Sequence, residues 1–419
     1  LGATGERVRF GDVFAISEFR ALWLAQLLSV AGDQLARVAM TVLVFERTGS
    51  VLWTAVTYSA TFLPWVIGGL ALAGLADRCP RRGVMVTCDL ARMLLVVAMV
   101  VPGMPLWAMV GLLFLVTLLD SPFKSARAAM YADILTGEEY VLGTAVTQTT
   151  LQTGMVAGFA LGGVVVAFLG TRTALAADAA TFGLSAVLVL AGVQPRPAAA
   201  KYGERDHTRA GDIAAGLRLV FANRRLRTLM LLGWLVTFYV VPQGLAVPYA
   251  ARFHGIPTAV AAGLIFAAGP FGTAFGALAF GRLVDPATRV RWIGVLAVLT
   301  SGLLTACGLR PGLAASLLIF VLSGSCAAYQ LAANAAFVAA VPNHRRGQAF
   351  GLANAGMQVG QGIWFILAGA AAGLLGPAGV IALSGGVGAT LAIALALSWH
   401  RQQAMAPAAI VAMEPDPGR

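Results

Sequence analysis

The sequence predicts an all-α integral membrane protein: twelve transmembrane helices in two pseudo-symmetric six-helix halves. Three observations predict it. The composition is 59% hydrophobic and only 11% charged, with a mean hydropathy of +0.82, against about 25% charged residues in soluble domains. The apolar residues fall into twelve stretches, each near the ~20 residues that a helix needs to cross a bilayer. Finally, three short patterns recur at offsets of 206–208 residues.

In order, the stretches run over 20–45, 52–76, 84–101, 106–126, 141–169, 173–193, 228–250, 259–281, 291–309, 313–337, 347–375 and 378–399. None shows the alternation over about ten residues that a strand barrel requires. Residues 1–19 read as a cytoplasmic N-terminus. Leu1–Phe10 lacks the apolar core of a signal peptide, and the absent initiator Met is expected to reflect a trimmed start. Residues 20–193 and 228–399 form the two six-helix bundles. Between them, 194–227 is a cytoplasmic linker rich in Pro and Arg, with an amphipathic helix expected over 212–222. Residues 400–419 form a cytoplasmic tail.

The basic residues set the orientation. With the N-terminus inside, 23 of the 29 Lys and Arg lie on the cytoplasmic side, four lie outside (Arg47, Arg172, Arg252, Arg310), and Arg37 and Arg92 fall within spans. Positive residues stay on the inner side, so both termini are expected in the cytoplasm of a bacterium and the chain in its plasma (inner) membrane. The net charge of +11 and pI near 10.2 are therefore a topology signal, and no nucleic-acid partner is expected. The four cysteines have no metal-ligand spacing. Neither a metal nor a cofactor is expected.

The turn Ala73–Arg82 separates two spans. Asp77, Arg78, Arg81 and Arg82 crowd into six residues, and each charge would cost ~3 kcal/mol in hydrocarbon. The turn must therefore lie at the membrane surface. A degenerate copy, Gly281-Arg282-Leu283-Val284-Asp285, places Asp285 208 residues after Asp77. Arg127 through Leu135 echoes Asn334 through Pro342 at an offset of 207, and Gly163 through Gly170 echoes Gly369 through Gly376 at 206. The halves are thus repeats, expected to be related by an axis along the membrane normal.

The six-plus-six arrangement and this turn resemble the major facilitator superfamily over essentially the whole chain. That family's loop signature, Gly-x-Leu-Ala-Asp-Arg-x-Gly-Arg-Arg, is matched by Leu75-Ala76-Asp77-Arg78 and Arg81-Arg82, with Ala73 and Pro80 replacing its glycines. Gly32-Asp33 and Ser121-Pro122…Ala126-Arg127 resemble the macrolide-efflux and enterobactin-exporter branch of drug:proton antiporters. The resemblance implies alternating access. It also implies a conformational latch on the cytoplasmic side, formed by Asp77, Arg78, Arg81 and Arg82, with Asp285 in the second half. Gly154-x-x-x-Gly158-Phe159-x-x-Gly162-Gly163 resembles the family's antiporter motif, with Phe159 replacing a proline. Its glycines are expected to make a close-packing groove, either as that motif or as generic small-residue packing. Gly269, Gly272 and Gly276 of span eight are expected to face it.

Intramembrane charge is the sharper signal. Asp33 falls near the middle of span one, with Arg37 one turn further on, where the two can meet at i, i+4. Asp89 and Arg92 begin span three, and Asp120 lies inside span four. Ionisable groups at such positions mark an ion or substrate path. Burial disfavours a carboxylate's charged form, which makes such a group a natural proton carrier. Asp33, Arg37, Arg92 and Asp120 are therefore candidates for proton coupling. A silent Asp33–Arg37 pair and a structural Arg92–Asp120 pair are the alternatives. Asp178 reads as a solvated or interfacial group near the outer end of span six.

The second half carries amides and aromatics instead of charge. Trp234, Tyr239, Gln330, Asn334, Asn354 and Gln358 are candidates for a substrate cavity, joined by Gln34 and Tyr58 of the first half. Asn354, Gln358 and Gln361 share one helix face, which suits either a cavity or interhelical hydrogen bonding. Phosphate-binding loops and hydrolase or metalloprotease motifs are absent from the sequence, so no enzyme activity is expected and an ion gradient must supply the energy. The expected function is proton-coupled efflux of a lipophilic or amphipathic small molecule (a drug, siderophore or secondary metabolite) by a monomer in the lipid bilayer. The alternative is a lipid or lysophospholipid flippase on the same fold. A non-transporting sensor is disfavoured by the uninterrupted repeat.

Overall fold

The structure is a computed structural model that describes residues 9–72, 78–196, 218, 220–342 and 345–411. Asp77 and the residues 73–76 before it lie outside the described residues, as does most of the linker with its expected helix at 212–222. Every regular element among the described residues is helical. Among the described residues, ten helical stretches are long and apolar enough to cross a membrane.

Two of the ten are 56 residues long, Gly137–Gly192 and Gln348–Gln403. Each is bent at one glycine: Gly170 has φ 82° and Gly376 has φ 72°. Side chains are disfavoured in that left-handed region because Cβ meets the backbone, so glycine is the residue that can turn the chain there. Counting the arms on either side of each glycine separately divides the ten stretches into twelve helical segments among the described residues. The two bends are the closing glycines of the pattern repeated at an offset of 206, so a sequence repeat has become a repeated turn.

The first helices are α1 (Phe10–Ala15), α2 (Ser17–Thr48), α3 (Val51–Ser59) and α4 (Leu63–Ala71). The break between α3 and α4 precedes Pro64, which lacks the N–H that would continue the ladder. Then come α5 (Arg81–Val100), α6 (Leu106–Ile134) and the bent α7 (Gly137–Gly192). Span seven is broken into α8 (Arg224–Trp234), α9 (Val236–Tyr239), α10 (Val241–Gly244) and α11 (Ala246–Ala250), with Pro242 and Pro248 inside it. α12 (Thr258–Leu283), α13 (Pro286–Gly302), a 3-10 turn (Leu303–Leu309), α14 (Leu313–Cys326), α15 (Tyr329–Ala340) and the bent α16 (Arg346–Val411) complete the chain.

The chain forms two compact units. One comprises residues 1–205 with 246–267, the other 206–245 with 268–419. The core of the first includes Phe19, Leu22, Met85, Phe123 and Met130. That of the second includes Leu229, Tyr329, Phe337 and Trp399. Large apolar side chains such as Leu94, Phe168 and Leu374 are well exposed, as lipid contact requires.

Glycine packing differs from the expectation. Gly154, Gly158 and Gly162 face α2, where a Cβ would meet Val30, Gln34 and Leu35 respectively. Spaced four apart, they share one face of α7, and Gly163 is turned about 100° away from it. Gly163 alone meets α12: a Cβ there would stand 2.5 Å from the Ala259 carbonyl and 2.9 Å from Gly263 Cα. Phe159, in the place of the motif's proline, stacks on Phe266 with ring centroids 5.1 Å apart. Gly269, Gly272 and Gly276 meet a helix of their own unit. They pack on the α14 backbone at Gly324, Val321 and Ser325, because their spacing directs them to the neighbour within their own unit.

Gly163→Leu is therefore expected to lower the thermal midpoint in detergent by several degrees, since overpacking costs about 1–3 kcal/mol. Gly373→Leu is the control and should leave the midpoint in place, because a Cβ at Gly373 meets nothing within 4 Å.

Candidate functional site

The first unit contains a buried ion cluster built from four helices. Residues three apart share a helix face, so α5 presents Asp89 and Arg92 together. Arg92 is 1% exposed. Its Nη2 donates to Asp33 Oδ1 of α2 at 2.9 Å, and its Nη1 lies 3.7 Å from Asp89 and 3.8 Å from Asp120 of α6. The guanidinium lies over the Phe182 ring at 4.1 Å. Asp89 accepts a hydrogen bond from Ser185 at 2.6 Å, and Lys124 pairs with Asp120 at 2.5 Å. A cavity of about 30 Å3, room for a water or two, is lined by Asp33, Arg37, Arg92, Asp120 and Asp178 among others.

Two expectations are corrected here. Asp33 pairs with Arg92 across 59 residues of chain, whereas Arg37 donates to Gln34 at 3.3 Å. Helical spacing allowed the i, i+4 pair, but the helix α5 supplies a planar donor aimed straight at the carboxylate. Asp178 is not interfacial: it is 1% exposed and lines the cavity, because the bend at Gly170 folds the second arm of α7 back within the unit. Lys124 and Ser185 were missed. Lys124, at the expected cytoplasmic end of span four, counts in the sequence only among the basic residues that set the orientation, although its i, i+4 spacing from Asp120 was a visible signal.

In the second unit, a cleft of about 420 Å3 is lined by Trp234, Gln330, Asn334 and Asn354, with Phe337, Phe350 and Met357 among its apolar walls. Trp234 Nε1 donates to the Ala353 carbonyl at 2.8 Å. Gln330 Nε2 donates to the Tyr239 hydroxyl at 2.8 Å, so Tyr239 orients a lining residue from behind. Among the described residues, Asn334 and Asn354 show no side-chain hydrogen bond. Gln358 is not among the residues lining this cleft. Gln34 and Tyr58 line neither cavity. Gln34 turns back to the Val30 carbonyl, and Tyr58 is buried with its ring 5.5 Å from both Phe62 and Phe266. Both are drawn into packing on their own helices' inner faces.

Of the expected latch residues, Arg78 is exposed, and Asp77 lies outside the described residues. Arg81 pairs with Asp133 at the end of α6 and donates to the Ala129 carbonyl at 3.2 Å, while Arg82 donates to the Leu190 carbonyl. Asp133 was missed as a partner, although it sits in one of the repeated patterns. In the second unit, Asp285 stands exposed before α13, and Arg289 closes the turn by donating to the Val284 and Gly281 carbonyls at 2.6 Å each.

The family model of the Major Facilitator Superfamily matches residues 22–309 and 242–413. The chain belongs to this superfamily. Members of this superfamily are membrane transporters of small molecules, and this chain is a multi-pass membrane protein. The multidrug efflux pump Tap of Mycobacterium bovis is 30% identical over 307 residues, covering 67% of this chain and 68% of Tap. The enterobactin exporter EntS of Citrobacter koseri is 30% identical over 279 residues, covering 63% of each chain. Both are efflux transporters. Among solved structures, a bacterial homologue of the human lysosomal transporter Spinster, inward-facing and occupied, has a TM-score of 0.72 at 16% identity, covering 91% of this chain and 96% of that one. A POT family transporter bound to 5-aminolevulinic acid has a TM-score of 0.71 at 13% identity, covering 96% and 98%. At these identities, the likeness concerns the fold.

Proposed function

We propose that the protein is a proton-coupled exporter of a neutral or weakly polar, amphipathic small molecule. It would work by alternating access as a monomer in the bacterial inner membrane, with both termini cytoplasmic. The division into bundles at 20–193 and 228–399, and the latch around Asp77, belong to the same reading. One observation carries it: among the described residues the buried carboxylates lie in the first unit's cluster, and the second unit's cleft is lined by neutral side chains. In the cluster, several carboxylates share one buried guanidinium. Taking up a proton on one of them changes which carboxylate Arg92 holds, and this gives proton binding a structural consequence. The cleft offers aromatic faces at Trp234, Phe337 and Phe350 and unpaired amides at Asn334 and Asn354, a set suited to a flat amphipathic solute. The exporter kinship of Tap and EntS supports the outward direction.

The test is uptake of lipophilic dyes and of a catecholate siderophore into everted membrane vesicles. The expected result is accumulation driven by an imposed pH gradient and collapsed by a protonophore. Transbilayer movement of a fluorescent lysolipid that ignores the protonophore would instead establish the flippase reading. Asn354→Ala should weaken binding of a transported dye five- to tenfold, about 1–1.4 kcal/mol for one hydrogen bond. Folding should be unaffected, because Asn354 holds no other side chain in place.

A further inference from the structure

We infer that Asp178 is a second proton-binding residue of the first unit's cluster, held as a neutral acid while Asp33 is paired with Arg92. The inference rests on the proton-coupled reading above and deepens it.

Four carboxylates belong to the cluster: Asp33 from α2, Asp120 from α6 and Asp178 from α7 line the cavity, and Asp89 from α5 lies beside Arg92. Arg92 pairs with the first three, and Lys124 adds a second pair to Asp120. Arg37, the other cation on the cavity wall, donates to Gln34. Asp178 makes no ion pair with any described cation. Its side chain is nonetheless buried, and its Oδ1 accepts no hydrogen bond. Burial and the neighbouring Asp33 carboxylate oppose a charge there more strongly than the more distant Arg92 and the Thr181 hydroxyl favour it, and such a group takes up a proton instead.

The packing shows that the position is built. A Cβ on Gly32 would collide with the Asp178 carboxyl and with the Thr181 hydroxyl, so the α2 backbone lies directly against this acid, one residue from Asp33. Thr181 itself donates to the Asp178 backbone carbonyl at 2.7 Å. The carboxyl therefore sits in a slot that only glycine leaves open, on a cavity shared with Asp33 and Asp120. A proton there keeps the slot neutral and leaves Arg92 to the other three carboxylates.

The test is infrared difference spectroscopy of the purified protein in lipid at neutral pH, read in the carbonyl-stretch region of protonated carboxylic acids. The wild type should show such a band, Asp178→Asn should lose it, and Asp33→Asn should retain it. Asparagine is isosteric with the neutral acid, so Asp178→Asn should also fold with an unchanged thermal midpoint. A band that survives in Asp178→Asn, or disappears in Asp89→Asn instead, overturns the inference. So does failure of Asp178→Asn to fold, because that would mean the native group is charged. The readout does not depend on transport. Absence of gradient-driven flux in the wild type would sink the exporter reading, and the band would still report on Asp178.

Discussion

Asp33→Asn in proteoliposomes is expected to reduce pH-gradient-driven transport to the level of protein-free liposomes, while energy-independent exchange of substrate continues. Asp33 is the most open of the carboxylates paired with Arg92, with about a quarter of its side chain exposed. Asp89 is fully enclosed. In the proposed proton-coupled cycle, exchange of protons with water would run most directly through Asp33. Asparagine keeps the shape and one acceptor oxygen for Arg92 but carries no exchangeable acid proton, so the carrier can still cycle while the gradient loses its hold. Counterflow of labelled substrate separates the two effects. Full gradient-driven transport by the variant would move the coupling role to Asp120, whose pairing with both Lys124 and Arg92 makes it the next candidate.

The second large effect is on stability. Arg92→Met is expected to cost about 3–5 kcal/mol and to lower the thermal midpoint by about 10 °C. Methionine nearly fills the stem's volume, but it leaves Asp89 wholly buried beside Asp33 and Asp120 with no cation for it. The lost contact over Phe182 adds to the cost. Arg92→Lys should fall between the two, since an ammonium keeps the charge without the planar fork that reaches three carboxylates. Adding Asp89→Asn to Arg92→Met should recover part of the loss, and the double-mutant cycle isolates their coupling. A wild-type midpoint in Arg92→Met would falsify the view that this guanidinium holds the cluster together.

How much of this was legible in the chain depends on the range of the interaction. The class of protein, its segmentation and its repeat follow from hydrophobicity and spacing, which are properties of the sequence itself. The bends at Gly170 and Gly376 were already present as the ends of a matched pattern. The ionisable positions were visible too, because a charge inside an apolar stretch stands out against its surroundings. Within one helix, 3.6 residues per turn also fixes which side chains are neighbours. That rule places Gly154, Gly158 and Gly162 on one face, and it also relates Asp89 to Arg92, a pair that the sequence reading did not draw.

The same rule misassigned the partner of Asp33. Arg37 was the neighbour that helical spacing could see, whereas Arg92 arrives from another helix at an angle set by packing. Gly269, Gly272 and Gly276 were likewise a correct stripe given the wrong neighbour. Asp178 looked interfacial from its place near a span's end, and the turn at Gly170 carried it inside. What the sequence by itself determined was therefore everything set by chain-local geometry and by the cost of charge in hydrocarbon: spans, faces, bends and the list of ionisable groups. The tertiary structure alone decided which face meets which. The rotation of one helix against another depends on many small contacts between distant segments, and no spacing along a single chain encodes their sum.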